Sequence, residues 1–110
     1  MLPSVDLIWT FMVDYTKGWG VQRHTQDYFQ MYYCIAGRGH MLLNGQDILL
    51  EKNGCLLIWP GQEHEVYPIE SGQLRIIDTK FHIHDDIIRT ALLKAPQLIP
   101  AMDPHFGELQ

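Results

Sequence analysis

The sequence predicts an all-β barrel or sandwich finished by one C-terminal helix, and three observations carry that expectation. From Leu7 to His82, short apolar runs and period-two alternation are broken at close intervals by Gly, Asn, Asp and Pro, the rhythm of strands joined by tight turns. Asn44-Gly45 lies between two such runs, and this pair suits the two positive φ angles of a type I′ hairpin turn. After His82 the rhythm changes, with Ile87, Ile88, Ala91, Leu92 and Ala95 recurring at helical spacing.

In chain order, strands are expected at Leu7 to Val13, Trp19 to Arg23, Phe29 to Ala36, His40 to Leu43, Gln46 to Glu51, Cys55 to Trp59, Glu65 to Ile69 and Leu74 to Phe81. Asn44-Gly45 joins the fourth to the fifth. Asn53-Gly54 is expected to turn the chain tightly before the sixth, with glycine where a Cβ would clash. Pro60-Gly61 closes the sixth and redirects it. Asp85 or Asp86 can cap the free amides that open the helix, and Pro96 ends it. Beyond Pro96, Pro100, Asp103-Pro104 and Gly107 predict an irregular tail. An apolar helix stripe followed by such a tail is expected to lead into a further part of a longer protein.

At 110 residues and 46% hydrophobic, the chain has material for one core and not two. It opens Met-Leu-Pro-Ser-Val-Asp, without a basic start or a long apolar run. No secretory signal and no membrane span are expected, and the protein reads as soluble and cytoplasmic. Cys34 and Cys55 lie inside apolar runs, with no second ligand at zinc-site spacing; both are expected to be buried thiols rather than a disulfide. Eight basic against thirteen acidic residues give a formal net charge of -5, with the basic residues scattered. A DNA-gripping surface would show a basic face, so these residues are not expected to bind DNA themselves.

Two spaced stretches carry more specific information. The first is His24-Thr25-Gln26, three residues, Gln30, six residues, Gly37; the second is Gly54, five residues, Pro60-Gly61-Gln62-Glu63-His64. Together they resemble the two-part signature of the cupins. In metal-binding members the first stretch supplies His, His and Glu as ligands, and the second supplies the fourth ligand, a histidine. Here Gln26 and Gln30 stand where the second His and the Glu would be. The run from Tyr28 to Gly39, the run from Gly54 to His64 and the strand ending Lys80-Phe81 resemble AraC-type sensor domains more than enzymatic cupins.

That resemblance implies a cupin double-stranded β-helix, or jelly-roll barrel, over residues 1–83. It makes 84–110 a helix and tail that begin a dimerisation and linker region. The barrel would bind a small effector such as a sugar, the chain would form a homodimer, and DNA would be held only by a helix-turn-helix domain outside this chain. Residues 1–6 would form an arm able to close over the pocket.

The residues themselves favour an organic ligand over a metal. Catalytic metal sites use three or four imidazoles and carboxylates, whereas two histidines and two neutral amides supply no charge. No metal or other cofactor is therefore expected. Amides and neutral imidazoles donate and accept, which suits a hydroxyl-rich ligand. The candidate ligand-binding residues are His24, Gln26, Gln30, Tyr32, Trp59 and His64. Tyr32 and Trp59 would give flat walls for a sugar ring, against the plainer reading of core packing. Arg23, Arg38 and Arg75 are the cations available for an acidic ligand, against ordinary surface exposure. His82-Ile83-His84 is a second metal-like spacing, read as solvated histidines at a strand end.

The helix stripe either packs on its own barrel or faces a second subunit. The leading expectation is a non-enzymatic sensor. The competing readings are a stand-alone cupin enzyme, either a metal-dependent isomerase or a dioxygenase, and a purely structural dimerisation module.

Overall fold

A computed structural model describes residues 4–69 and 72–100. The chain forms β1 (Val5–Thr16), β2 (Val21–His24), β3 (Phe29–Leu43), β4 (Gln46–Glu51), β5 (Cys55–Ile58), β6 (His64–Val66), β7 (Gln73–Ile83), α1 (Asp86–Lys94) and β8 (Leu98–Ile99). Every pairing between these strands is antiparallel. One layer runs β1-β7-β3-β5-β8, and β2, β6 and β4 join β3 in the other. Two layers sharing a long strand make a jelly roll with its apolar interior between them.

The shared strand is the main departure from expectation. The sequence predicts two strands, Phe29 to Ala36 and His40 to Leu43; the chain forms one strand of 15 residues. Its first part pairs with β5 and β7, and its second with β4 and β6. Between them the β7 register slips at Cys34/Ala36, and Gly37 takes φ +76°. A bulge and a left-handed glycine bend a strand without ending its pairing. A Cβ on Gly37 would sit 1.8 Å from the Gln73 carbonyl oxygen, which explains the glycine of the first motif.

The Asn44-Gly45 hairpin forms as predicted. Both residues have positive φ, 49° and 82°, and Leu43 pairs with Gln46 across them. At the next turn the left-handed residue is Asn53, φ 69°, rather than Gly54, which is buried. Asn tolerates that region through its short polar side chain.

Several predicted boundaries move. The strand expected over Glu65 to Ile69 shrinks to His64–Val66, because Pro68 has no N–H to pair; Ile69 makes only an isolated bridge to Lys17. The second strand starts at Val21, leaving Trp19 68% exposed. The first strand is longer at both ends, since β7 offers partners from Val5↔Ile83 to Thr16↔Gln73. The expected arm is therefore pinned at its inner end: Val5 and Asp6 belong to β1, and the Ser4 carbonyl accepts the His84 N–H at 2.8 Å. Residues 1–3 of that arm lie outside the described residues.

The tail is not irregular immediately after Pro96. Leu98–Ile99 adds β8 to the edge of β5, and the Gln97 side-chain amide donates to the Leu57 carbonyl at 3.0 Å. Residues 101–110 lie outside the described residues.

Inside the barrel, Tyr15, Tyr32, Cys34, Met41, Leu43, Ile48, Leu50, Leu56, Ile58, Val66, Ile69, Leu74 and Ile76 form one buried cluster. A second cluster, Phe29, Leu57 and Ile83 with Trp59, Phe81 and Leu92, sits where α1 meets the opposite face of the β7-β3-β5 layer. Asp85 is the helix cap: its Oδ1 accepts the Ile87 and Ile88 N–H groups at 2.9 and 3.0 Å. Leu92 reaches the second cluster, yet no α1 residue is buried and Ile87 is 83% exposed. Both cysteines are free thiols. Cys34 faces the core, and Cys55 is only half-buried on the face it shares with Tyr33, correcting the expectation of two buried thiols. Among the described residues, no helix is long and apolar enough to cross a membrane.

Candidate functional site

Strand register assembles the site. Residues paired across a sheet point to the same face, so the pairings Trp9↔Lys80, Gln30↔Lys80 and Gln30↔Ile58 build one inward row. The next row inward is Asp78, Tyr32 and Leu56; Phe11, the β1 partner of Asp78, is 54% exposed. Polar residues on the core face of apolar strands need partners. Here Gln26 Nε2 donates to Gln30 Oε1, and Gln30 Nε2 donates to Asp78 Oδ1 at 2.7 Å. Gln30 is 2% and Asp78 5% exposed. Burial pushes the Asp78 carboxyl up from its ordinary range, against the Gln30 hydrogen bond and the Lys80 charge.

The opposite layer contributes a histidine pair. His24 and His64 are cross-strand partners on β2 and β6, with ring centroids 4.2 Å apart. His24 Nδ1 is 2.8 Å from the Gln22 carbonyl and His64 Nδ1 is 3.2 Å from that of Gln62. A carbonyl only accepts, so each Nδ1 carries a proton, and the neutral form of the His64 ring keeps Nε2 as an acceptor. Burial drives the His64 pKa down, with the His24 and Lys80 charges adding to it against the Gln62 hydrogen bond. His64 Nε2 and Gln26 Oε1 are fully buried acceptors that bond no protein group.

The predicted residues separate into two groups. His24, Gln26, Gln30 and His64 come together at the barrel interior, and Tyr32 lies in the adjoining row, 2% exposed. Trp59 does not join them: it packs with Phe29, Leu57 and Ile83 in the second cluster. It follows the inward-facing Ile58, so alternation turns it to the other face. Two of the three arginines are engaged elsewhere, Arg23 with Glu63 and Glu65 and Arg75 with Asp14. Arg38 lines an open surface cleft of about 660 Å³ with His40, Asp47, Tyr67 and Pro68, which holds none of the predicted ligand residues. His82 and His84 lie at the end of β7 with ring centroids 5.9 Å apart.

Three residues at the interior go unnamed by sequence reasoning: Trp9, Asp78 and Lys80. The signal is present, since Leu74, Ile76, Asp78 and Lys80 alternate along one strand, and two charges on its core face are unusual. Lys80 Nζ stands 4.1 Å from the Trp9 ring centroid and 5.5 Å from that of Tyr28.

The donor set does not fit a transition metal. Two imidazoles converge, but Gln30 is committed to Gln26 and Asp78. Among the described residues no three His, Cys, Asp or Glu side chains gather around one point. The arrangement suits hydrogen bonding to a small polar molecule.

The family described as the AraC-like ligand binding domain matches residues 13–98. No curated protein matches the sequence. Among solved structures, a predicted oxalate decarboxylase of Thermotoga maritima superposes with TM-score 0.65 at 18% identity, covering 71% of this chain and 69% of that one. An RmlC-like cupin of Shewanella frigidimarina gives 0.63 at 20% identity, covering 74% and 71%. A salicylate 1,2-dioxygenase of Pseudaminobacter salicylatoxidans gives 0.64 at 13% identity, covering 74% of this chain and 27% of that one. At such identities the likenesses speak for the fold alone. The chain has the cupin fold and belongs to the AraC-like ligand-binding domain family.

Proposed function

We propose that the chain is the effector-sensing domain of an AraC-type transcription regulator, acting by binding rather than catalysis. A small, hydroxyl-rich, sugar-like metabolite would seat against His24, Gln26, Gln30, Tyr32 and His64. The observation that carries this reading is the pair of buried, unpartnered acceptors, His64 Nε2 and Gln26 Oε1. A buried acceptor without a donor costs about 1–3 kcal/mol, and a ligand hydroxyl would recover it.

Strand alternation supplies a route for the signal. Gln30 and Lys80 face the interior, while their neighbours Phe29 and Phe81 stack on the other face, ring centroids 5.7 Å apart, in the cluster that Leu92 of α1 joins. A shift of either strand on binding would reach α1 directly. In this reading α1 and the segment beyond it pair two chains as a homodimer. The two ligation states of the barrel then bias a cytoplasmic DNA-binding domain through their difference in affinity.

Thermal denaturation of the chain against neutral sugars and sugar acids tests the reading. A compound that raises the midpoint in the parent chain and not in His64→Ala supports it; a panel without any stabilising compound counts against it.

A further inference from the structure

Resting on that reading, we infer that the effector is a hydroxylated carboxylate, a sugar acid rather than a neutral sugar, with Lys80 as the residue that receives its acid group. Lys80 occupies an inward position on β7, between Trp9 on β1 and Gln30 on β3. Among the described residues no carboxylate lies within ion-pair distance of its Nζ; its neighbours are the faces of Trp9 and Tyr28. Lys80 itself is half-buried; Trp9 Nε1 beside it is a buried donor without a partner, as is Trp59 Nε1 in the second cluster.

The interior thus offers unmatched groups of two kinds. Lys80 and Trp9 Nε1 can only donate, which suits a carboxylate; His64 Nε2 and Gln26 Oε1 can only accept, which suits hydroxyls. Gln30 links the two sets, pairing with Lys80 across the strands and bonding Gln26 through its side chain. A molecule carrying an acid at one end and hydroxyls along its length satisfies both; a neutral sugar leaves the ammonium unmatched.

Asp78, two residues from Lys80 on the same strand face, is the nearby negative group that opposes an anion. It is tied to Gln30 at 2.7 Å and sits one row further along the sheet, and burial favours its neutral form. The arginines on Asp14 and Glu65 are matched already.

The test measures binding of D-glucuronate, D-galacturonate and D-gluconate beside D-glucose, D-galactose and L-arabinose by calorimetric titration. Expected is at least one acid binding tenfold or more tightly than its neutral counterpart, with an affinity that falls as sodium chloride is raised. Lys80→Met should remove the preference, Lys80→Arg should keep it, and Arg38→Met, in the outer cleft, should leave it unchanged. Neutral sugars binding as well as the acids, without salt dependence, would overturn this inference and leave the sensor reading standing. Loss of acid binding in Arg38→Met but not in Lys80→Met would also overturn it. If none of the six compounds binds, the sensor reading fails with it. The salt dependence is read on the parent chain, so a Lys80 variant that does not fold leaves the inference decidable.

Discussion

His24 and His64 face each other across β2 and β6 with ring centroids 4.2 Å apart, and each commits its Nδ1 to a backbone carbonyl two residues earlier in the chain. That geometry puts a proton on each Nδ1, and the Nε2 acceptor of His64 lies fully buried without a protein partner. The cupin scaffold commonly uses this pair beside a third His and a Glu. With Gln26 and Gln30 in those places, the same framework offers hydrogen bonds without a charge to hold a metal.

Burial of His64 makes stability fall on acidification. Burial holds the folded His64 pKa below its ordinary 6.5, so between the two values the unfolded chain binds more protons. The stability due to the neutral ring is complete above pH 6.5 and is lost as pH falls through the folded value. Asp78 runs the other way: its folded pKa is raised above 3.8, so its contribution declines as pH rises through that interval. Urea unfolding at pH 8 and pH 5 should show that the midpoint drops further, or rises less, on going to pH 5 in the parent chain than in His64→Gln. An equal difference in both proteins would contradict the assignment.

Gly37→Ala should destabilise the chain severely. The residue sits at φ +76°, and an added Cβ would fall 1.8 Å from the Gln73 carbonyl oxygen. Left-handed strain alone costs about 1–3 kcal/mol, and backbone overlap adds to it. Gly45→Ala, also at positive φ but where a Cβ meets nothing within 4 Å, should bear only the left-handed strain, about 1–3 kcal/mol, and the loss in Gly37→Ala, read by urea unfolding, should exceed it.

Asp85→Ala should loosen α1 without unfolding the barrel. It removes the acceptor of the Ile87 and Ile88 amides, a change of about 1 kcal/mol. Hydrogen exchange should accelerate over Ile87–Leu92 and stay unchanged over β3 and β7.

Ile87, 83% exposed on a helix that buries none of its residues against the barrel, is the position that should report subunit pairing. Sedimentation equilibrium is expected to show a reversible dimer at high concentration, shifted toward monomer by Ile87→Glu. A monomer at every concentration would remove pairing through α1 in this fragment.

The fold is readable wherever local chemistry decides it. Asn44-Gly45 could form little but its hairpin, and the alternation of Phe29 to Ala36 places Gln30 and Tyr32 inward. The continuity of β3 is hidden, because Gly37 and Gly39 read as a break while the bulge that carries the strand through depends on its partner β7. The site is half readable. His24, Gln26, Gln30 and His64 stand in motifs, whereas Trp9, Asp78 and Lys80 reach the interior only through the β1-β7-β3 register. Trp59 looks like a pocket wall from its place beside Pro60, yet one step along the strand turns it to the second cluster.

The most direct test follows the imidazole resonances of His24, His64 and His40 while D-galacturonate or another stabilising compound of the panel is titrated. An effector seated in the barrel should move the His24 and His64 signals together to saturation while that of His40, in the outer cleft, stays in place. Movement of His40 with His24 and His64 unchanged would place the effector outside the barrel and contradict the sensor reading built on its interior.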